Sequence, residues 1–510
     1  MCDRMVMKKH KADPNTQNPR GRGKRQHVES EIDKLPDDLL IAIVSRMSIK
    51  DAIRTTILSR RWRYLWTFAY GLRFDDRECT DRNRFNFIRL VDRVFKLHQG
   101  KSVDSLILRF FNKCKSPYFY PIGKWIDFAL HKEVKRFELD LSGASCNHEF
   151  PCLFMLLTRF PIDKVLPLFD TLNVRDSLPR YLRSLNAFIS LRSFRLVNVA
   201  IKDEMVQYFL ASCQYIEKIC IRGSNATKDL EFVDPLPYLK VLEISECCNI
   251  QSLVISVVNL VSCTYEGRKI GLPFKKVPSL SELTLGGGFC GSFVYEPNKH
   301  SSYSAQLVKL VLNIPHVSAL SVIVPRELPQ LYALKRMELS VMSHVGRSLL
   351  FWTSLIEASP QLQELKIKII YLLRCSSSTI GWNLLPFPEV TSAEANMFDH
   401  KNLKVIEMGG YCGCAREDEF LVHVCKSAAM SLETVIIDTD CSYYCDPECS
   451  SFFVMYKLRV DGKVPMVNEG GTTRREEPIE YGDLNQFDAK KHAERFTSSF
   501  RSSEIKFVIR

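Results

Sequence analysis

LKVLEISECCNI, residues 239–250, places apolar side chains at Leu239, Leu242 and Ile244, a cysteine at Cys247 and a further apolar residue at Ile250. Side chains alternate along an extended chain, so Leu242 and Ile244 share one face while Glu243 points to the other. The apolar-x-x-apolar-x-apolar spacing returns at Leu191/Phe194/Leu196, Ile216/Ile219/Ile221, Leu280/Leu283/Leu285 and Leu334/Met337/Leu339. It returns again at Leu362/Leu365/Ile367, Leu403/Ile406/Met408 and Leu432/Val435/Ile437. Between Lys202 and Ser212, Met205, Val206, Phe209 and Leu210 have helical spacing, so strand and helix alternate.

Spacings mostly in the twenties, with wider gaps, resemble leucine-rich repeats with irregular units. No single unit can bury its own apolar face, so neighbours stack and share one core. The resemblance implies an α/β fold: a solenoid with a curved parallel sheet and helices on the convex side. The run Leu210-x-x-Cys213-x-x-Ile216-x-x-Ile219-x-Ile221 is similar to the cysteine-containing repeats of F-box proteins. The residues between the inward positions then line the concave face, with Arg195, Glu243, Thr284, Glu338, Lys366 and Glu407 in one row. Their mixed charge suits a polar protein partner; a merely solvated sheet face is the alternative for any one of them.

Towards the N-terminus, residues 33–66 read DKLPDDLLIAIVSRMSIKDAIRTTILSRRWRYLW. Pro36 suits the first turn of a helix, and Asp37 and Asp38 follow where the helix dipole favours negative charge. Leu39, Leu40, Ile43, Val44 and Met47 form one apolar stripe. Ser48 can cap a second helix with Asp51 three residues on, and Ser59 a third carrying Trp62, Leu65 and Trp66. Three helices this short cannot bury so much apolar surface alone, which calls for cover by a partner or by the following domain.

This pattern resembles a plant-type F-box, which docks a Skp-type adaptor and through it a cullin scaffold. Transferred by position, Leu35, Pro36, Leu39, Leu40, Ile43, Val44, Leu58 and Trp62 would meet the adaptor. Met47-Ser48-Ile49 stands where many F-boxes carry Leu-Pro. At the other end, residues 400–438, HKNLKVIEMGGYCGCAREDEFLVHVCKSAAMSLETVIID, resemble the FBD module of plant F-box proteins: strand, Gly-rich turn, acidic helix start, helix, strand. The expected organisation is a basic tail at 1–30, an F-box at 31–70, a solenoid at 100–390 and an FBD-like end at 391–455. A linker at 456–486 and a cap of one helix and one strand at 487–510 complete it.

The net charge of +12 does not by itself point to nucleic acid. Lys8, Lys9, Lys11, Arg22, Lys24 and Arg25 lie in a tail without aromatic residues, whereas nucleic-acid binders interleave basic and stacking side chains on a folded face. These two basic clusters resemble a bipartite nuclear-import signal, so nucleus, cytoplasm or both are expected. The most apolar stretch, Leu307 to Val324, is broken by Lys309, Asn313, Pro315 and His316, and no membrane partner is expected. No secretory signal is visible, so the 18 cysteines are expected to be reduced.

Gly286-Gly287-Gly288-Phe289-Cys290-Gly291 satisfies G-x-G-x-x-G but reads better as a repeat turn, since no helix and acidic residue follow at the required distance. Among Cys412, Cys414, Cys425, Cys441, Cys445 and Cys449, with His423, three residues separate Cys441 from Cys445 and Cys445 from Cys449 and one separates Cys412 from Cys414; they read as reduced structural or surface thiols, and no metal is expected. No cofactor is implied, and no nucleophile elbow, P-loop or H-E-x-x-H is present. The reading is a non-catalytic substrate-recognition subunit of an SCF-type ubiquitin ligase that presents an unknown target protein. A small-molecule receptor of the same architecture and a scaffold without ligase assembly are the alternatives.

Overall fold

The computed structural model describes residues 31–76, 84–111, 125, 128–129, 131–142, 190–271, 273–290, 300–314, 331–343, 348–372, 397–440, 442–444, 455–457, 486–500 and 505–510. The basic tail, Cys441, Cys445 and Cys449 lie outside them.

Helix α1 (Asp37–Val44) follows Pro36 and carries Asp37 and Asp38 in its first turn. Helix α2 (Ile49–Arg54) is capped by Ser48, whose hydroxyl oxygen accepts from the Asp51 N–H at 3.2 Å. The Met47-Ser48-Ile49 departure is thereby explained: Ser48 supplies a strong N-cap, and Ile49 is buried. Helix α3 (Trp62–Leu65) follows Ser59, whose Oγ accepts from the Trp62 N–H at 3.4 Å. Arg61 ties the module's ends together, donating to Asp37 Oδ1 at 2.6 Å and to the Leu35 carbonyl at 2.5 Å.

The cover these helices need comes partly from their own chain. Strand β1 (Gly71–Asp75) continues directly from the module, so the sheet begins well before residue 100. Ser45 donates to the Ile41 carbonyl and accepts from the Tyr70 N–H at 3.0 Å. Leu40, Val44, Trp62 and Trp66 belong to one core with Leu72 and Phe74 of β1. Helix α4 (Arg84–Leu97) packs Phe87, Val91 and Val94 into the same core.

From there the chain lays down β2 (Ser105–Arg109), β3 (Arg136–Asp140), β4 (Ser193–Val197), helix α5 (Asp203–Ser212) and β5 (Lys218–Arg222). Next come β6 (Asp229–Val233), β7 (Val241–Ser245), β8 (Ser252–Ser256), β9 (Ser262–Gly267), β10 (Glu282–Gly287) and β11 (Lys309–Ile314). β12 (Arg336–Ser343), β13 (Glu364–Leu372), β14 (Val405–Gly409), helix α6 (Ala415–Ser427) and β15 (Thr434–Asp438) follow. Short β16 (Ser442–Tyr444) and β17 (Met455–Lys457) precede helix α7 (Gln486–Ser498) and β18 (Lys506–Ile509).

The main path runs β1-β2-β3-β4-β5-β7-β9-β10-β11-β12-β13-β14-β15-β18, each strand parallel to its neighbours. Two buried columns run through it: Leu242 beside Cys263, and Ile244 beside Tyr265, are typical steps. Every repeat triplet read from the sequence is buried. Further units have the same buried spacing at Val103/Leu106/Leu108, Val134/Phe137/Leu139 and Leu307/Leu310/Leu312, while β9 turns Cys263 and Tyr265 inward. After β4 the chain returns through helix α5, but after β5 and β7 it returns through β6 and β8, which form a separate parallel pair. Helices and strands thus share the return segments.

One turn recurs. Asn198, Gly223, Glu246, Gly287 and Gly410, each five residues beyond the first residue of its strand, all have positive φ, from 53 to 78°. A Cβ at Gly287 would collide with the Gly267 carbonyl of the preceding strand. The glycine-rich run at 286–288 therefore serves the repeat turn. The acidic pattern at 415–427 forms helix α6, and the C-terminal strand β18 pairs with β15.

Candidate functional site

Two surfaces emerge. On the N-terminal helices, Leu39 (51% exposed), Ile57 (82%), Leu58 (57%) and Tyr64 (60%) face solvent, and Pro36 is exposed beside them in sequence. Soluble surfaces rarely present several large apolar side chains on so short a segment without a partner. Of the residues expected to meet an adaptor, Pro36, Leu39 and Leu58 are exposed, and Leu35 and Ile43 are half-buried. Leu40, Val44 and Trp62 are instead core residues, at 0, 1 and 1% exposure. A stripe of helical spacing on so short a helix is divided between the module's interior and its outer surface, and these three point inward. Ile57, which continues an apolar face with Ala52, Ile53 and Leu58, and Tyr64 are exposed additions to the residues expected to meet an adaptor.

The same segment is basic. Arg46, Lys50, Arg54, Arg60, Arg61 and Arg63 stand against Asp51 between Ser45 and Arg63. Arg54 pairs with Asp51 at 2.9 Å and Arg61 with Asp37 at 2.6 Å. The Ser48 hydroxyl and then the neighbouring cations hold the Asp51 carboxyl below its usual value.

The second surface is the outward face of the sheet. Strand register sets Arg73, Ile107, Glu138, Arg195, Cys220, Glu243 and Thr264 side by side. The same row continues through Thr284, Val311, Glu338, Lys366, Glu407, Ile436 and Val508. All six residues expected in a row occupy it; Lys366 is exposed and the other five half-buried. Their charges are mostly internally matched: Arg195 meets Glu243 at 3.4 Å, Lys309 meets Glu338 at 2.9 Å, and Lys366 meets Glu407 at 2.8 Å. Arg195 also reaches Cys220 Sγ at 3.1 Å on the adjacent strand β5, which lies between it and Glu243. Glu138 is buried although it faces outward, because Arg109 covers it at 2.7 Å with Arg136 at 3.5 Å. Between the charged ends, Thr264, Thr284 and Val311 make an uncharged step.

At the far end of the sheet, Cys412, Cys414 and Glu417 come within 4.8 Å of one another, with Glu417 buried. Cys425 and His423 are buried elsewhere on helix α6 and do not join them. Among the described residues no helix is long and apolar enough to cross a membrane.

A three-helix module fused to a parallel repeat sheet defines an F-box protein with a leucine-rich-repeat body. The F-box domain family matches residues 32–69, and the family described as At1g61320/AtMIF1, LRR domain, matches residues 94–459. The chain therefore belongs to the plant F-box proteins with leucine-rich repeats and FBD-like features. It is 26% identical to F-box/FBD/LRR-repeat protein At4g00160 of Arabidopsis thaliana over 66% of this chain and 72% of the relative. Identity to F-box/FBD/LRR-repeat protein At5g56420 of the same plant is 25%, over 80% and 90%. F-box/FBD/LRR-repeat protein At3g51530, also from Arabidopsis thaliana, is 31% identical over 43% and 45%.

Proposed function

We propose that this protein is the substrate-recognition subunit of an SCF-type ubiquitin ligase, docking a Skp-type adaptor through its F-box and presenting a target protein on the sheet face. The observation that carries the reading is the exposed set Leu39, Ile57, Leu58 and Tyr64 on a module whose Leu40, Val44, Trp62 and Trp66 are buried in one core with its own solenoid. The solenoid covers one side of the helices and leaves the other to a partner. The revised adaptor surface is Pro36, Leu39, Ile57, Leu58 and Tyr64, with Leu35 and Ile43 at its margin. The basic excess around it fits an acidic partner surface, which raises the rate of encounter.

The target is read by the row from Arg195 to Glu407. Because its ion pairs are satisfied internally, a partner gains most at the uncharged step of Thr264, Thr284 and Val311, where little desolvation is required. Ubiquitin transfer is then carried out by the recruited cullin complex, and this chain contributes binding and placement. The basic tail supports nuclear import, and the domain limits at 391–455, 456–486 and 487–510 remain our reading of the C-terminal part.

A receptor reading would need a polar pocket on the outward face. The cavity between helix α5 and strands β4 and β5 is lined by apolar residues such as Phe194, Val206, Phe209 and Ile219, so it offers a ligand nothing to orient by. The test is to express Thr264→Arg/Thr284→Arg beside wild type in plant cells with the proteasome blocked. The reading expects both to retain adaptor and cullin, and only wild type to accumulate ubiquitinated targets. Equal target ubiquitination by the two would contradict the row's role.

A further inference from the structure

Helix α6 begins with an unusual cap. The Ncap position, where Ser, Thr, Asp or Asn stabilise a helix best, is held by Cys414, whose sulfur accepts from the Glu417 N–H. Cys412 stands two residues earlier, across Gly413 at φ 84°. Glu417 folds back so that its Oε2 accepts from the N–H groups of Cys412, Gly413 and Cys414 at 3.0, 2.8 and 3.1 Å.

We propose that Cys412, Cys414 and Glu417 form a binding site for a soft divalent cation of the zinc class. Their three donor atoms already lie within 4.8 Å of one another, and two thiols with one carboxylate are a donor set that zinc accepts in tetrahedral coordination. The surrounding amides hydrogen-bond the anionic donors, as outer partners of a metal site do. Tyr371 of β13 adds to this shell: its hydroxyl donates to Glu417 Oε1 and lies 3.4 Å from Cys412 Sγ. Zinc binds thiolates, so binding displaces protons from the two thiols.

The position gives the ion a structural consequence. His492 of helix α7 packs over Gly413, and its Nε2 bonds Asp418 Oδ2 at 2.8 Å. The site therefore joins β13, the entry to α6 and the C-terminal helix, and a bound ion would staple the last helix to the end of the sheet. The fourth tetrahedral position is left to water.

The experiment uses the reduced, metal-free full chain titrated with Co2+, and then with Zn2+ in competition. Wild type is expected to develop thiolate-to-cobalt charge-transfer and tetrahedral d–d bands, and to bind one equivalent more than Cys412→Ser/Cys414→Ser. Zn2+ should raise the Tm of wild type more than that of the variant, while Cys425→Ser behaves as wild type. Equal stoichiometry and equal Tm response would overturn the proposal. Should the double variant lose its circular-dichroism signature, Glu417→Gln retains an oxygen for the three amides. A Zn2+ affinity about tenfold or more below wild type is then expected, and an unchanged affinity would overturn the site. Neither outcome bears on adaptor binding.

Discussion

Glu138 and Glu417 are both almost fully buried, and they are held by different means. Glu138 is bridged by Arg109 and Arg136, so Glu138→Gln removes a charge partner from beneath two arginines. Chemical denaturation should show a loss of about 1–3 kcal/mol. Burial raises the Glu417 pKa from 4.5 to about 8. A raised folded-state pKa makes its contribution fully present below 4.5 and lost as pH rises through about 8. Without added metal, the wild type should lose stability from pH 5 to pH 9 by more than Glu417→Gln does. Parallel pH profiles for the two would contradict the buried protonated carboxyl. At this scale the sequence was least legible: Leu39 and Leu40 are adjacent and chemically identical, yet one is exposed and the other wholly buried. Helical spacing defines a stripe, but only the packing of β1 against the helices divides it.

Single elements are where the sequence spoke most clearly. Ser48 as a cap, the acidic start of α1 and the inward triplets of the strands follow from local chemistry, and each is realised. Ser48→Ala should cost about 1 kcal/mol and fray α2, visible as a lower urea midpoint. The return segments were less legible, because the repeat spacing names no element for β6 and β8. Leu230, Phe232, Leu253 and Ile255 alternate at strand spacing and are buried, so the signal was present but subordinate to the period of the repeat. The proximity of Glu417 to Cys412 and Cys414 was likewise hidden, since the carboxylate joins the thiols only through the first turn of α6.

For the whole molecule, the parallel sheet has two ends that must be closed. The F-box closes the first, and β18 with helix α7 closes the last, pairing with β15 and packing Ala493, Phe500 and Phe507 against the core. Terminal units of repeat proteins protect the stack. Removing residues 486–510 should expose Val435, Ile437 and the β15 edge, lowering Tm and promoting association detectable by light scattering. An unchanged, monodisperse profile would show that the cap is dispensable. Repeat stacking and the outward row were legible because strand period and unit spacing are properties of sequence; the internal pairing of the row's charges was not, because it depends on register between strands.

The central claim is that the solenoid leaves one apolar side of the F-box to an adaptor. Substituting Leu40 would confuse the test, since truncating a fully buried leucine costs about 2–5 kcal/mol of stability. The direct measurement is the Kd of a purified Skp-type adaptor for the full chain against Leu39→Ala/Leu58→Ala, with folding checked by circular dichroism. Central interface anchors cost about 2 kcal/mol or more when truncated, so the account predicts binding by wild type and at least about thirtyfold weaker binding by the folded variant. Equal affinity of the two, or no binding by folded wild type, would contradict it.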